Sequence, residues 1–296
     1  MAPEILLLGA NGQVGWELRR SLAPIGRVTA LSRAELDLSD LDGVMRAVRA
    51  ANPAIIINAA AYTAVDKAEA EQATAHRLNA ELPAILASEA KRVGSLLVDY
   101  STDYVFDGTL ERPYVEEDTP NPLSIYGRSK LEGLRAIQQT GCRHLVFRVS
   151  WVYGAHGANF VKTILRLARE RSELRVVADQ VGAPTPADLI ADVTAQCLAA
   201  LSRGYGEEGL YHLAPTGKTS WHGFSQTIVA EARKLGESLA LDEGVIHPIS
   251  TEDYPLPAVR PPNSVLDTTK LKATFGLHLP EWNASLPRIV QEILGK

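Results

Sequence analysis

The stretch EILLLGANGQVG, residues 4–15, decides the fold of this chain. Its first five residues contain the apolar run Ile5–Leu8 and predict a buried strand, and the helix predicted next has apolar positions at Val14, Leu18 and Leu22. Glycines at a strand-to-helix turn let the backbone approach a pyrophosphate, and the helix N-terminus directs amide donors at the anion. The GxxGxxG spacing, placed between the first strand and a helix, therefore predicts a dinucleotide-binding loop.

The first half of the chain alternates apolar strands with helices. Strands are predicted over residues 4–8, 28–31, 54–58, 95–100 and 144–150. Helices are predicted over residues 13–23, 39–50 and 73–92, with Ser39 as an N-cap and Pro83 as a kink. Nearly continuous apolar strands separated by helices indicate a parallel sheet covered on both faces. The predicted fold class is α/β, a Rossmann-like doubly wound parallel sheet with a smaller, discontinuous α/β substrate lobe.

The pattern is looser after residue 150. Helices are predicted over residues 160–171, 186–203 and 219–235, strands over residues 174–178 and 210–213, and a long irregular segment over residues 246–262. The prediction assigns residues 1–150 to an NAD(P)-binding domain that is rejoined by about 172–180 and 187–215. Residues of about 151–171, 181–186 and 216–296 are assigned mainly to the substrate lobe.

Composition and charge exclude several classes of protein. The 296 residues are 46% hydrophobic, and 30 basic against 35 acidic side chains give a net charge of −5, which argues against a nucleic-acid surface. Cys142 and Cys197 have no CxxC spacing and are read as buried residues in a reducing compartment. With no long apolar run or basic leader at the start, a cytoplasmic protein without a membrane partner is expected.

Residues that follow the second predicted strand indicate which nicotinamide cofactor is used. An acidic residue there favours NAD and an arginine favours NADP. Ser32 and Arg33 occupy this position and Glu35 follows, so the sequence predicts a preference for NADPH, with NADH also accepted. A solvated surface charge is the alternative for Arg33. Asp37 and Leu38 are candidates for contact with the adenine, and helix capping is the alternative for Asp37.

Tyr126 and Lys130 form a YxxxK pair that would share one face of a helix. A nearby ammonium favours the phenolate, so Lys130 would lower the pKa of Tyr126 and make it a proton donor to a carbonyl oxygen. Thr102 follows the fourth strand, on the rim that carries the Gly9 loop, and its hydroxyl could bond the same carbonyl. A surface Tyr–Lys neighbour pair is the alternative.

Six segments of the chain resemble the extended short-chain dehydrogenase/reductase superfamily. They are GANGQVGWEL (9–18), NAAAYTAVDKAE (58–69), STDYVFDG (101–108), YGRSKLEG (126–133), RVSWVYG (148–154) and DQVGAPTPADLIAD (179–192). The resemblance covers essentially the whole chain. It implies NADPH-dependent reduction of the C4 ketone of dTDP-4-dehydro-β-L-rhamnose, the last step of dTDP-rhamnose biosynthesis for cell-surface polysaccharide, with a proton from Tyr126.

The motifs and the resemblance together give a set of candidate site residues. The catalytic candidates are Tyr126, Lys130 and Thr102. The cofactor-binding candidates are Gly9, Gly12, Gln13, Val14, Gly15, Ser32, Arg33, Asp37, Leu38, Ala61, Tyr62, Thr63, Tyr100, Tyr126 and Lys130. The substrate-binding candidates are Thr102, Asp103, Tyr126, Trp151, Arg260 and Asn263. An indole suits the apolar face of a deoxysugar, and a buried core residue is the alternative for Trp151.

The resemblance also bears on metal and partners. Some relatives hold Mg²⁺ between two subunits through carboxylates, and Asp188 and Glu292 would be remnants of such a site. The terminal helix otherwise has few acidic residues, so no metal is expected. The expected partner is the dTDP-sugar substrate, and the chain is expected to be a monomer or a homodimer.

Two other functions remain open from the sequence. Related epimerases and 4,6-dehydratases act on similar sugars, but the dehydratases resemble STDE, whereas Tyr104 stands at the glutamate position here. A non-catalytic, NADP-binding regulatory subunit of the methionine adenosyltransferase type also resembles this family. The complete set of Thr102, Tyr126 and Lys130 favours a working enzyme.

Overall fold

The structure is a computed structural model that describes residues 2–241 and 245–296. Its strands are β1 (Glu4–Leu8), β2 (Arg27–Leu31), β3 (Ile55–Asn58), β4 (Leu96–Thr102), β5 (His144–Val149), β6 (Val152–Tyr153), β7 (Leu174–Val177), β8 (Val181–Gly182), β9 (Thr185–Pro186), β10 (Gly209–His212), β11 (Thr219–Ser220) and β12 (Ile246–Ile249). Its α-helices are α1 (Gln13–Ser21), α2 (Leu41–Ala51), α3 (Val65–Ala68), α4 (Gln72–His76), α5 (Leu82–Val93), α6 (Ile125–Thr140), α7 (Phe160–Glu170), α8 (Ala187–Ser202), α9 (Trp221–Lys234), α10 (Thr269–Phe275) and α11 (Leu286–Leu294). A π-helical turn spans Arg77–Glu81, and a 3₁₀ turn spans Asp103–Val105.

The central sheet has six parallel strands in the described residues, in the order β2-β1-β3-β4-β5-β10. Leu8, the last residue of β1, is aligned with Leu31 on β2 and Asn58 on β3. The strand order reverses at β1, so the glycine loop lies where the crossover connections diverge to the two faces. Ligands of open α/β sheets bind in the crevice at this switch point.

Two apolar layers cover the central sheet, which confirms the predicted fold class. On one face, β1, β4 and β5 pack against α1, α8 and α10, and on the other face they pack against α2, α5 and α6. Because the inner strand residues are buried on both faces, the strands read as continuous apolar runs rather than alternating ones. Cys142 and Cys197 lie in these two different layers, and both are buried free thiols in the described structure.

A second apolar core forms the smaller lobe. It is built from α7, β7, α9, β12 and α11, with Phe224 and Leu286 fully buried. The strand β7 pairs in parallel with β12 in a sheet of its own, so the expectation that residues 172–180 return to the central sheet is wrong. The helix α8 and the strand β10 do lie on the central sheet, against α1 and beside β5.

Some element boundaries differ from the predictions. Asp40, not Ser39, caps α2, because its side chain accepts a hydrogen bond of 2.9 Å from the amide of Gly43. The helix expected over 73–92 contains the π-helical turn, and Pro83 lies in the first turn of α5, where a missing amide is tolerated. The segment expected to be irregular over 246–262 begins with the strand β12.

None of the helices in the described residues combines the length and the apolar character needed to cross a lipid bilayer.

Candidate active site

The glycine loop is shaped by two close backbone contacts. Gly9 has a φ of +76°, and a Cβ there would lie 2.6 Å from the backbone nitrogen of Ala60. A Cβ on Gly15 would lie 2.1 Å from the carbonyl oxygen of Gly9. Both positions therefore require glycine. Gly12 is the N-cap of α1 and provides no side-chain cap, so the helix presents its first amides and positive dipole end for an anion.

A cavity of about 730 Å³, here called the loop cavity, opens in front of this loop. It gathers most of the candidate residues along one rim of the central sheet. The predicted residues that line it are Gly9, Gly12, Gln13, Val14, Ala61, Thr63, Tyr100, Thr102, Asp103, Tyr126, Lys130 and Trp151. Backbone amides, small side chains and this volume suit a dinucleotide lying along the rim.

Other predicted cofactor residues lie outside the lining of the loop cavity. Ser32 donates two hydrogen bonds to Glu35, from its amide at 2.8 Å and its hydroxyl at 2.7 Å. Asp37 accepts hydrogen bonds from the amide and the hydroxyl of Ser39, so its carboxylate orders the turn before α2. Arg33 and Leu38 flank this turn, and Arg33 is exposed. Contact of these residues with a cofactor remains a prediction.

Tyr62 is turned away from the loop cavity. Its phenol donates a 2.7 Å hydrogen bond to Glu71, while its amide donates to Asn79. Gly15 supports the loop from behind, through its contact with Gly9. These two predicted residues therefore shape the wall of the cavity through their backbone.

The helix α6 places the catalytic pair. Its N-cap, Ser124, accepts a hydrogen bond of 3.1 Å from the amide of Gly127, so the helix begins just before Tyr126. A Cβ on Gly127 would lie 2.2 Å from the carbonyl oxygen of Tyr104, and the glycine thus brings α6 close to the end of β4. Tyr126 and Lys130 then face the loop cavity from consecutive turns.

The protonation of Tyr126 differs from the prediction. Burial raises the pKa of its phenol to about 12, a hydrogen bond with Thr102 opposes that rise, and the charge of Asp103 adds to it. The Lys130 ammonium lies 3.8 Å from the buried carboxylate of Asp99, whose negative charge offsets that of the lysine. The Lys130 ammonium is thus paired with Asp99, and burial leaves Tyr126 a protonated acid near neutral pH.

Thr102 ends β4 and Asp103 begins the 3₁₀ turn that follows, and both lie beside Tyr126. The Thr102 hydroxyl donates to Asp103 Oδ1 at 3.1 Å and accepts from the amide of Tyr104 at 3.2 Å. Burial raises the pKa of Asp103 to about 6, and hydrogen bonds from Ser264 and Thr102 oppose this rise. Asp103 Oδ2 is buried and has no hydrogen-bond partner among the described atoms, so it is available as an acceptor for a bound hydroxyl.

Trp151 forms one wall of the loop cavity, as a half-buried residue rather than a core residue. Its φ of +47° lies in the left-handed region, and its indole stacks on that of Trp221, with ring centroids 3.6 Å apart. A Cβ on Gly182 would lie 2.6 Å from the Trp151 ring. Packing on both sides therefore fixes the indole ring and holds the Trp151 backbone in its strained conformation.

The two predicted substrate residues of the proline-rich segment have structural partners. Arg260 donates hydrogen bonds of 2.6 and 2.7 Å to the two carboxylate oxygens of Asp66, which joins the small lobe to α3. The Asn263 side-chain amide donates hydrogen bonds to the carbonyls of Leu110 and Arg112, and Asn263 does not line the loop cavity. Asn263 therefore has structural partners, and its contact with the sugar remains a prediction.

A second cavity, here called the lobe cavity, adjoins the loop cavity. It has a volume of about 780 Å³ and lies among α7, β7, β12 and the segment that ends at Arg260. Its walls include the aromatic rings of Phe160, Trp221 and Tyr254. Tyr104 and Trp221 line both cavities, so these two side chains form the shared wall.

Several site residues were not predicted from the sequence. Asn79, in the π-helical turn, donates to the Tyr62 carbonyl at 3.0 Å and to the Ser129 hydroxyl at 3.1 Å, which ties the 61–63 segment to α6. Asn159 donates to Gln13 at 2.9 Å and so holds the small lobe against the glycine loop. An asparagine on the buried face of a predicted helix is the available signal for Asn79.

The two carboxylates suggested as remnants of a metal site converge on an arginine. Arg288 hydrogen-bonds to Asp188, and its other terminal nitrogen lies 3.2 Å from Glu292. Among the described residues, no group of three or more His, Cys, Asp or Glu side chains is placed to hold a metal ion. The Arg288 guanidinium supplies a positive charge to both carboxylates in this structure.

The chain matches the family described as RmlD substrate binding domain over residues 3–294. It is 50% identical to a dTDP-4-dehydrorhamnose reductase of Burkholderia thailandensis, over 99% of this chain and 100% of that protein. The crystal structure of a dTDP-4-dehydrorhamnose reductase from Bacillus anthracis in complex with NADP superposes with a TM-score of 0.90, 34% identity and coverage of 99% of this chain and 100% of that chain. A dTDP-4-dehydrorhamnose reductase ortholog from Clostridium acetobutylicum gives a TM-score of 0.89, with 36% identity over 99% of this chain and 100% of that chain.

Proposed function

The chain belongs to the RmlD substrate binding domain family, and we propose that it reduces the C4 ketone of dTDP-4-dehydro-β-L-rhamnose to dTDP-L-rhamnose with NADPH. This activity makes it an oxidoreductase of dTDP-rhamnose biosynthesis. The observation that carries the proposal is the loop cavity, in which an amide-rich glycine loop and a protonated tyrosine lie on one rim.

The glycine loop and the small residues beside it would hold the cofactor. The uncapped first turn of α1 suits the pyrophosphate, and Ala61 and Thr63 leave room for the rest of the dinucleotide. Bound NADPH would supply a hydride to C4 of the sugar. The exposed Arg33 favours the extra phosphate of NADPH, since the nearby Glu35 carboxylate already accepts two hydrogen bonds from Ser32. NADH would be accepted less well.

Tyr126 would donate the proton that completes the reduction. As the hydride reaches C4, the carbonyl oxygen takes the Tyr126 proton, so the ketone becomes a hydroxyl and the tyrosine a phenolate. Thr102 would hold the carbonyl oxygen beside Tyr126, because its hydroxyl is at the same end of β4. Lys130 would bind the cofactor ribose and stabilise the phenolate that forms.

The sugar would lie between Tyr126 and Trp151, with Asp103 as an acceptor for a sugar hydroxyl. The nucleotide part would extend past Tyr104 into the lobe cavity, where aromatic rings offer a stacking surface. We accordingly assign residues 151–186 and 216–296 mainly to a substrate lobe, and the rest of the chain to the cofactor domain. We also propose that the enzyme acts in the cytoplasm, as a monomer or a homodimer.

Dehydration of the sugar is disfavoured by the side chains at the site. The phenol of Tyr104 packs edge-on against Tyr126, with ring centroids 5.5 Å apart, where elimination of water would need a second carboxylate. A purely regulatory role would not need Thr102, Tyr126 and Lys130 together on one cavity.

The direct test follows NADPH absorbance with dTDP-4-dehydrorhamnose as substrate. The wild-type enzyme is expected to oxidise NADPH in proportion to the dTDP-rhamnose formed. Tyr126→Phe is expected to lower kcat by about 10²-fold or more, because it removes the acid and keeps the ring. Absence of oxidation by the wild type would refute the reductase activity, whereas normal kcat in the variant would refute only the role of Tyr126.

A further inference from the structure

Asp99 is a buried carboxylate at the end of an apolar layer. Alternate residues of a strand point to the same face, and Leu97 on β4 packs with Leu134 of α6 and Val146 of β5. Asp99 occupies the next position on that face and is only 3% exposed. A buried carboxylate in such a layer destabilises the fold unless its charge and its hydrogen-bonding capacity are matched.

Both carboxylate oxygens of Asp99 have a partner. The Asn58 amide, aligned with Asp99 across the parallel strands, donates a 2.6 Å hydrogen bond to Oδ2. The Lys130 ammonium lies 3.8 Å from Oδ1, and its side chain is 4% exposed. Lys130 also lines the loop cavity, whereas Asp99 lines neither cavity. The ammonium is thus held between a buried carboxylate and the cofactor-binding space.

We propose that Asp99 is a positioning residue for the reduction, whose carboxylate keeps the Lys130 side chain charged and aimed into the loop cavity. The inference rests on the proposed function only in taking NADPH as the ligand of that cavity. Burial lowers the pKa of Lys130 and raises the pKa of Asp99, and the charge of each residue opposes the shift of the other. Without Asp99, Lys130 would lose its proton at a lower pH and bind the ribose less well.

Other ionisable groups around α6 are engaged elsewhere. Asp99 is the charged group that acts on Lys130 among the described residues. Among the other groups on elements packed against α6, Lys67 is exposed, Lys91 donates to the Thr140 carbonyl, and Tyr100 is hydrogen-bonded with Thr194. The ion pairs there are Asp66 with Arg260, His76 with Glu81 and Glu132, Arg77 with Glu81, and Glu89 with Arg49 and Arg92. On the 3₁₀ turn, Asp103 accepts from Thr102, and Tyr104 packs edge-on against Tyr126.

The test measures the Kd of NADPH, by fluorescence without sugar substrate, from pH 6 to pH 10. Asp99→Asn removes the charge and keeps the shape. It is expected to move the pH at which NADPH binding weakens down by about one to three units relative to the wild type. The same shift is expected in the basic limb of kcat/KM. Asp99→Ser also removes the charge and keeps an oxygen that can accept from Asn58, so it gives the same readout if the asparagine variant does not fold.

Two controls separate positioning from general loss of structure. Ser95→Ala removes a buried 2.6 Å hydrogen bond to Pro53 just before β4, and it is expected to lower stability without moving the pH profile. In the Lys130→Met background, Asp99→Asn is expected to change the Kd by less than about twofold, because the two residues act through one interaction.

An unchanged pH profile in Asp99→Asn, or full additivity with Lys130→Met, would overturn the proposal. The Kd measurement needs no turnover. If the wild type binds NADPH but reduces no sugar, the proposed function fails, and the role of Asp99 toward Lys130 is still decided.

Discussion

The indole rings of Trp151 and Trp221 stack almost in parallel, with 8° between their planes and 3.6 Å between their centroids. Trp151 follows β5, the last strand of the sheet to carry cavity residues, and Trp221 begins α9 in the small lobe. The Trp221 indole also donates a hydrogen bond of 3.2 Å to Gln180. The stack therefore fixes the wall between the two cavities by joining the sheet rim to the lobe.

Trp221→Ala is expected to raise the KM for the sugar nucleotide by about fivefold to tenfold, because loss of the stack frees the Trp151 ring that faces the sugar. The KM for NADPH should stay within about twofold, since the glycine loop is unaffected. Steady-state kinetics with each substrate varied in turn gives both values. Trp282→Phe is the matched control, since Trp282 packs on Phe224 inside the lobe; an equal effect there would mean that only lobe packing is being measured.

Arg260→Lys is expected to raise the KM for the sugar nucleotide by about fivefold, because a lysine cannot reproduce the two parallel hydrogen bonds to Asp66. The pair joins the lobes beside Tyr104, and the Arg260 side chain is only 14% exposed. The control is Arg112→Lys, which alters a similar pair with Asp118 at a more exposed site. The prediction fails if the two variants have the same KM.

Gly15→Ala and Gly12→Ala are expected to act differently. A Cβ at Gly15 would clash with Gly9, so this variant should lower both the melting temperature and the affinity for NADPH. A Cβ at Gly12 would lie 3.4 Å from the Gly9 carbonyl oxygen, so it should leave the melting temperature nearly unchanged and still weaken NADPH binding about tenfold or more. Thermal unfolding and NADPH titration separate the two outcomes. Equal melting temperatures would contradict the steric argument.

His212 is expected to make folding stability depend on pH. Burial and the charge of Arg148 lower its pKa to about 3, and its ring lies 3.0 Å from the Tyr114 carbonyl and 3.2 Å from Arg148. The unfolded chain binds a proton near pH 6.5 and the folded chain does not. The stability that the uncharged, buried His212 contributes is therefore fully present above pH 6.5. It is lost as the pH falls toward 3, by up to about 1.4 kcal/mol of unfolding free energy per pH unit.

Urea unfolding between pH 7.5 and pH 4.5 measures this dependence. His212→Asn should be less stable at pH 7.5 and lose less stability on acidification than the wild type. His278→Asn, at an exposed position, is the control and should keep the wild-type slope. If the unfolding free energy of the His212 variant fell with pH as steeply as that of the wild type, His212 would not be a cause of the pH dependence.

The sequence predicted the central sheet because its signals are local. Each strand from β1 to β5 is a short apolar run next to a helix, and the glycine loop marks the switch point. The partner of β7 could not be read in the same way. Its apolar pattern resembles that of the sheet strands, while β12 contains Pro248, so the pairing of these two strands is visible only in three dimensions.

The candidate site was predictable as a set of positions, but its electrostatics were not. The YxxxK spacing places Tyr126 and Lys130 on one cavity, and Thr102 follows from the strand end. The pKa of Tyr126 depends on its burial, its hydrogen bond with Thr102 and the charge of Asp103, while the Lys130 ammonium is paired with Asp99. The sequence gives Asn263 as a substrate-binding candidate, but it does not show that the Leu110 and Arg112 carbonyls accept hydrogen bonds from its side-chain amide.

The shared wall of the two cavities has a consequence for inhibitor design. A fragment that mimics nicotinamide and one that mimics the nucleoside would occupy adjacent spaces that share a wall formed by Tyr104 and Trp221. Joining them by a short tether past these rings turns the second binding event into an intramolecular one, which can raise the combined affinity by about 10² to 10⁴ over either fragment. The size of the gain in affinity then depends on the length of tether that fits past the Tyr104 and Trp221 rings.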